Sequence, residues 1–524
     1  MASLPSTSTT RERVATAVDT SSAAIARRFE IDPRALAAFR IGLGTLLLVD
    51  LALRSRSLVA FYTDYGVLPR EVLFADYSDV YSLHALSGEP WAIALLFAIA
   101  AAFAVAMTVG YRTRIATLGS WLLLYSLHVR NPMVLNGGDS LFRMLVLWAI
   151  FLPLGARWSV DAVRSTSERA DTGDAVASVA TMALLLQIVL MYATNAVHKA
   201  EGDLWMEGEA VLYIMQVDQF TVYLGNHIGE FHGLLRVVTV AWLGLLVAAP
   251  LLLVCTGWRR SLLATAYVGM HLGMAATMRI DIFPIVVIVG FIPFYGPTVW
   301  DRVERLATER GLTRRGSRLA AGLDRHRPAG PTIAIDDVAS RRAVRRTIRE
   351  SAGRGRTLFA TVLPWFLLVL VVLSNAQAVD YAEVPDPAEE VLDTARLEQS
   401  WSMFAPNPIR TTSWHAAPGE LADGTEIDVM YERSVTFDRP PDIDATYPSA
   451  RWRKYLSNVR SGDNTNHRSY FANYLCDSWN RSHETDVERV TVERLSERTD
   501  PDGTVVATGE YTLIEYDCAG PFVQ

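Results

Sequence analysis

The residues best suited to chemistry lie in one stretch, NAVHKAEGDLWMEGE, Asn195 to Glu209, directly after the apolar run Val176 to Ala193. Lys199 stands one helical turn beyond Asn195, so a continuing helix puts both on one face. Of the 49 lysines and arginines, only Lys199 and Lys454 are lysine. A composition that has nearly eliminated lysine keeps one at the mouth of an apolar helix. Burial can leave lysine, unlike arginine, as a free amine able to act as base or nucleophile. The alternative is a lysine at a membrane interface, ion-paired with Glu201 or Asp203.

Further polar residues interrupt apolar surroundings, where charge is costly unless paired or used. Asp139 and Arg143 in RNPMVLNGGDSLFR are spaced i,i+4 and can pair on one helix face. His271 precedes MRIDIF, which holds Arg279 and Asp281. Asp139, Arg143, Asn195, His198, Lys199, Trp205, His271 and Arg279 are therefore candidates to line one substrate cavity, with Lys199 as its base. The structural alternative is that these charges cap helices and pair off. His128, His198 and His271 lack the spacing of helix-borne metal ligands, and no metal is expected. Cys476 and Cys518 lie in the polar C-terminal part and form a disulfide pair if it faces an oxidising side; Cys255 sits in an apolar run.

The elements that must position these residues are apolar helices. Half of the 524 residues are hydrophobic and mean hydropathy is positive. Nine apolar stretches stand out, about 35–53, 91–110, 115–129, 141–155, 176–196, 234–256, 262–278, 282–297 and 357–379. With the N-terminus inside, the inner loops, among them 111–114, 156–169, 257–260 and 298–356, are arginine-rich, and 301–356 carries 15 arginines against 7 acids. Residues 380–524, with 27 acids against 13 basic residues, then lie outside. They alternate polar and apolar in short runs, with turn signals at Asp423-Gly424 and Pro501-Asp502-Gly503 and helical pieces near 450–459 and 467–480. The expected fold is an all-α polytopic membrane bundle of about nine transmembrane helices with a small β-rich extracytoplasmic C-terminal domain. Its divisions are a disordered cytoplasmic tail (1–34), a transmembrane domain (35–297), a basic cytoplasmic connection (298–356), a final transmembrane helix (357–379) and an acidic domain (380–524). Expected partners are membrane lipids and an envelope or secreted protein at the C-terminal domain; a net charge of −7 gives no reason to expect nucleic acid.

The order FRIGLG, FYTDYGVLPR, LNGGDSLFR, RWSVD, HKAEGDLWMEG and HLGMAATMRIDIFP, followed by WSMFAPNP and RWRKYL, resembles the HTTM proteins, microbial relatives of vitamin K-dependent gamma-carboxylase. The match spans about 30–305 and reaches into the C-terminal region. The resemblance implies a lysine that deprotonates a reduced quinone of naphthoquinone type. Oxygen then converts the quinone to a strong base and finally to an epoxide. Lys199 in AVHKAEGDLW looks like the counterpart of that lysine, and His271 resembles a family histidine. The carboxylase's NNHSYLYG-like stretch reads NGGDSLFR here, with Gly138 or Asp139 in place of a histidine implicated in carboxylation. The resemblance therefore extends to quinol oxidation and not to carboxylation. A non-catalytic lipid-binding or envelope scaffold is the other reading. It predicts an exposed Lys199 paired with Glu201 or Asp203.

Overall fold

The computed structural model describes residues 24–164, 175–311, 355 and 357–520. Most of the expected tail and of the basic connection lies outside the described residues. Each of the nine apolar stretches contains a helix: α1 (Pro33–Ser55), α2 (Pro90–Val109), α3 (Thr113–Arg130), α4 (Gly137–Ile150), α5 (Val179–Ala200), α6 (His232–Ala248), α7 (Gly257–Thr277), α8 (Phe283–Phe291) and, after α9 (Pro297–Glu309), α10 (Leu363–Gln377). Local chemistry sets several of the starts. Asp32 accepts from Arg34 N ahead of Pro33 at α1. Ser178 and Thr181 cap α5 reciprocally, and Asn136 and Asp139 do the same for α4.

Among the described residues, four helices are long and apolar enough to cross a membrane: Pro33–Ser55, Pro90–Val109, Val179–Ala200 and Leu358–Gln377. The pair Phe283–Phe294 and Pro297–Glu309, bent by 104°, makes a fifth if it is one span. The remaining expected spans form helices that are too short or too polar to pass. α4 has 14 residues and α6 has 17, while α7 has 21 but carries Arg259, Arg260 and His271. The length of α4 is explained by its position. All of it from Leu141 to Ile150 is buried, packed among α3, α5 and α8, so its neighbours rather than lipid surround it. By contrast α6 and α7 expose Val237, Val240, Val247, Trp258 and Leu262, the apolar surface of a helix that faces lipid.

Because successive helices run up and down, the last turns of α1, α3, α5 and α7 and the first turns of α2, α4 and α8 meet at one end of the bundle. The C-terminal region packs there. It holds an antiparallel sheet of β1 (Thr411–Ala416), β2 (Pro418–Leu421), β3 (Glu426–Asp428), β4 (Val487–Thr499) and β5 (Val505–Asp517). The long β4 is central. β5 runs along one edge of it, while β1 and β2 share the other, with β3 outside β2. The two turn signals close the β2–β3 and β4–β5 hairpins. Two helices, α11 (Ala450–Val459) and α12 (Asn466–Ser482), pack between sheet and bundle. Phe61 of the first bundle loop stacks on Trp452 at 4.6 Å, inside a core that also holds Tyr62, Val134, Tyr455 and Val490. The C-terminal region and the bundle end thus share one hydrophobic core. Cys476 of α12 is bonded to Cys518 just beyond β5, with Cα atoms 5.6 Å apart.

Two histidines of this junction are buried outside the spanning segments. His84 bonds Ser126 Oγ at 2.7 Å, and His467 meets the Tyr77 hydroxyl at 3.0 Å. Burial pushes His84 down to about 3, with Arg130 and Arg54 adding to the shift, and burial pushes His467 down to about 4, against the pull of Asp76. Both are neutral in the fold and gain a proton near pH 6.5 when unfolded. Stability therefore falls as pH drops below 6.5 and goes on falling until the folded rings protonate. The expected slope is up to about 1.4 kcal/mol per pH unit for each histidine. Chemical denaturation in detergent between pH 7 and 4.5 measures it, and His467→Phe should flatten it.

Candidate functional site

α5 continues past Asn195, and Asn195 and Lys199 do share a face. What they face is backbone. The segment Trp401–Phe404 of WSMFAPNP lies against the end of α5. Asn195 Nδ2 donates to Trp401 O at 2.7 Å, Lys199 Nζ to Met403 O at 2.8 Å and Phe404 O at 3.4 Å, and Trp205 Nε1 to Phe404 O at 2.7 Å. His198 Nε2 donates to Ser400 O at 2.9 Å. Lys199 Nζ also sits 3.6 Å from the centroid of the Trp205 ring. Gly202 is required here, because a Cβ at that position would lie 1.8 Å from Pro406 O. Trp401 and Phe404 adopt left-handed φ angles of 51° and 53°, a conformation that non-glycine residues keep only when their surroundings impose it. The donors of Asn195, Lys199 and Trp205 are those surroundings.

Lys199 is only 2% exposed and has no carboxylate partner among the described residues. Glu201 and Asp203, the expected partners of an interfacial lysine, are exposed and do not pair with it. The amino group is therefore held by carbonyl dipoles and an aromatic face alone among the described residues.

A second polar cluster lies beside this corner, joined to it by Met403, whose Sδ packs against Gly137 at the start of α4. Its centre is Asp139. The expected i,i+4 pair of Asp139 with Arg143 does not form; two other arginines take the carboxylate instead. Arg451 of α11 makes a two-pronged pair with it, Nη1 to Oδ2 and Nη2 to Oδ1, both at 3.1 Å. Arg54 Nη2 donates to the same Oδ1, while its Nε binds Asp50 Oδ2 at 2.7 Å and its Nη1 binds the Tyr62 hydroxyl at 2.8 Å. Arg451 Nη2 also reaches Asp50 Oδ1 at 2.7 Å and lies 3.1 Å from Asp281 Oδ2. Arg143 turns away, to Arg396 O at 2.5 Å and His128 Nδ1 at 3.1 Å. His128 Nε2 in turn lies 3.1 Å from Arg54 Nη2 and 3.6 Å from Asp139 Oδ1, so the ring sits between two guanidiniums. Three carboxylates, of Asp50, Asp139 and Asp281, are thus met by two guanidiniums, of Arg54 and Arg451. Burial works against the Arg451 charge, but Asp139, Asp281 and Asp50 outweigh it, and Arg451 is held well above its ordinary value. Asp281 lies at the edge, and burial raises its carboxyl despite Arg451.

The two remaining candidates lie elsewhere. Arg279 clamps the C-terminal region, bonding Asp444 Oδ2 at 2.8 Å and Asp444 O at 2.9 Å. His271 is buried in an aromatic nest, its Nδ1 at 3.0 Å from Tyr267 O, with rings of Tyr192, Trp242 and Phe283 around it. Trp242 Nε1 is buried there without a hydrogen-bond partner. An apolar cluster of Trp205, Leu235 and Met278 extends through Trp242 and Met274 and so joins this nest to the Lys199 corner. Reading the sequence missed Asp50, Arg54 and Arg451 as site residues. Asp50 and Arg54 carried a signal, an acid and a base i,i+4 at the end of an apolar run.

Fold and site together define a helical membrane protein whose buried polar end is completed by its own C-terminal region. A family model described as the HTTM domain matches residues 29–300. The chain belongs to the HTTM family, the domain found in vitamin K-dependent gamma-carboxylase. Comparisons with curated proteins and with solved structures found no match.

Removing Arg451 takes from Asp281 its ion partner among the described residues and leaves Asp50 and Asp139 with Arg54 alone, and loss of one partner from a buried ion cluster costs about 3–5 kcal/mol. Arg451→Ala is expected to destabilise by that order in detergent unfolding. Asp281→Asn, at the edge, should cost far less than Asp139→Asn. Equal effects at the two aspartates would contradict Asp139 as the centre.

Proposed function

We propose that this protein is a carboxylase-like membrane enzyme that oxidises a reduced quinone or a related lipid, with Lys199 as its base. The observation that carries the reading is a fully buried lysine without a carboxylate partner among the described residues, set on an indole face. General-base lysines need such a setting, where no acid fixes the proton in place. A quinol of naphthoquinone type is flat and apolar with a hydroxyl at each end. The aromatic cluster from Trp205 to Trp242 and His271 suits its ring, and the unpartnered Trp242 Nε1 suits one of its oxygens.

When bound, the quinol would supply four electrons to oxygen, two in passing to the quinone and two in forming the epoxide, so that quinol plus O2 gives epoxide plus water. The residues of the chain handle the proton. Lys199 Nζ takes it from the quinol hydroxyl, and the ammonium so formed is steadied by Met403 O, Phe404 O and the Trp205 ring. Asn195 and Trp205 hold that strand of carbonyls in place. We assign Asp139 and Arg143 to positioning rather than to quinone contact, since their polar atoms are engaged within the protein. Carboxylation is not part of the proposal, because no histidine stands at 138 or 139.

We place this end of the bundle, with residues 380–524, outside the cytoplasm. The arginines at 111–114 and 257–260 on the opposite end support that orientation, as does the bond between Cys476 and Cys518. One observation favours the non-catalytic reading: Lys199 already clamps the 401–404 segment, which a scaffold would also need.

The two readings separate on turnover. Purified protein in nanodiscs is given a reduced naphthoquinone and oxygen, and epoxide is measured. Lys199→Ala and Lys199→Arg should each lose about 100-fold or more in rate, the span of general-base catalysis. Full activity in folded Lys199→Arg would remove the base role. No turnover of the unaltered protein across several quinols would leave the clamp.

A further inference from the structure

A cavity of about 40 Å³ lies where the C-terminal region meets the bundle loop that carries Gln219 and Phe220. Its lining comes from three elements. β1 contributes Thr411, Ser413 and His415, which strand alternation puts on one face. β4 contributes Arg494, directly opposite His415 in the strand register, and α11 and the residue that caps its end contribute Arg453 and Arg460. Three guanidiniums therefore border a space this small, and none of the lining residues is acidic.

The partners of these groups leave capacity pointing inward. Arg453 is anchored by Gln219 O at 2.6 Å and lies over the Phe220 ring, so its position is fixed from the bundle side. Arg494 Nη2 binds Ser413 Oγ at 2.9 Å, but its Nε is buried with no hydrogen-bond partner. His415 is 5% exposed, and neither ring nitrogen has a hydrogen-bond partner among the described residues; it meets the Tyr447 ring at 6.1 Å. A buried imidazole facing a guanidinium across two strands, with both nitrogens unused, gains nothing from the fold around it. Two nearby acids pair with arginines outside the lining, Asp444 through Oδ2 with Arg279 and Glu497 through Oε1 with Arg439. An oxyanion in the cavity would meet all of the unused donors at once and offset three converging positive charges.

We propose that this cavity binds a phosphate group, held by Arg453, Arg460 and Arg494 with His415 as a fourth donor. The group comes either from free phosphate or from the monoester headgroup of a lipid. The site is separate from Lys199 and does not rest on quinol chemistry.

The test is direct binding to the full-length protein. In phosphatidylcholine nanodiscs at constant ionic strength, inorganic phosphate is titrated by calorimetry against a chloride control. Saturable binding is expected, weakened about tenfold or more by Arg460→Gln and by His415→Phe. Arg460 is exposed, so its variant should fold, which gel filtration checks. Adding phosphatidic acid to the nanodiscs identifies the source. Loss of the free-phosphate signal in unaltered protein assigns the site to a headgroup, and an unchanged signal assigns it to free phosphate. Binding that survives both substitutions overturns the proposal. So does the absence of saturable phosphate binding together with no effect of phosphatidic acid on thermal stability.

Discussion

A carboxylate taken out of water must be met by fixed positive charge or it neutralises itself. This protein buries Asp50, Asp139 and Asp281 together, and the arginine that touches all three comes from 312 residues beyond Asp139 in the chain. Much of the architecture follows from that. α11 has to dock on the bundle end, which brings Trp452 and Tyr455 onto Phe61 and merges two hydrophobic cores. The chain between α10 and β1 has to cross the mouth of α5 to get there. Its carbonyls then become the ligands of Lys199. Charge burial and the Lys199 corner are two consequences of one docking.

Local chemistry was readable and long-range partnership was not. The nine apolar stretches, the two hairpin turns and the helices at 450–459 and 466–482 all rest on periodicity, caps and turn residues, which operate over a few positions. Asn195 and Lys199 share a face for the same reason. The Asp139–Arg143 pair failed because helix spacing states who can meet, not who competes. Arg54 and Arg451 approach the same oxygen atoms, and a two-pronged guanidinium pair is stronger than a surface-type i,i+4 contact. Arg451 stands in RWRKYL, a stretch that carries the family resemblance, but it lies in a polar region far from any apolar run, and nothing local names its buried partners. Four spans, or five with the bent pair, pass on length and composition among the described residues, and nine are not confirmed; an apolar run can be buried by protein as well as by lipid, as α4 is.

The two ways of holding a buried cation stand side by side here, and they are not equivalent. Arg451 is neutralised by carboxylates, which fix its charge permanently. Lys199 is held by two carbonyls and a ring, dipoles that stabilise an ammonium without demanding one. A compact ammonium fits between those groups. A guanidinium would bring five N–H donors to a place that offers two acceptors. The retention of lysine at this point, in a chain that holds one other, follows from that geometry. The same contacts make the corner responsive. A proton gained at Nζ strengthens the bonds to Met403 and Phe404, and a proton lost weakens them. Those residues lie on the strap between α10 and β1, already bent into left-handed conformations at Trp401 and Phe404. Chemistry at Lys199 would therefore be felt along the strap by the C-terminal region, while the Arg451 cluster keeps that region seated.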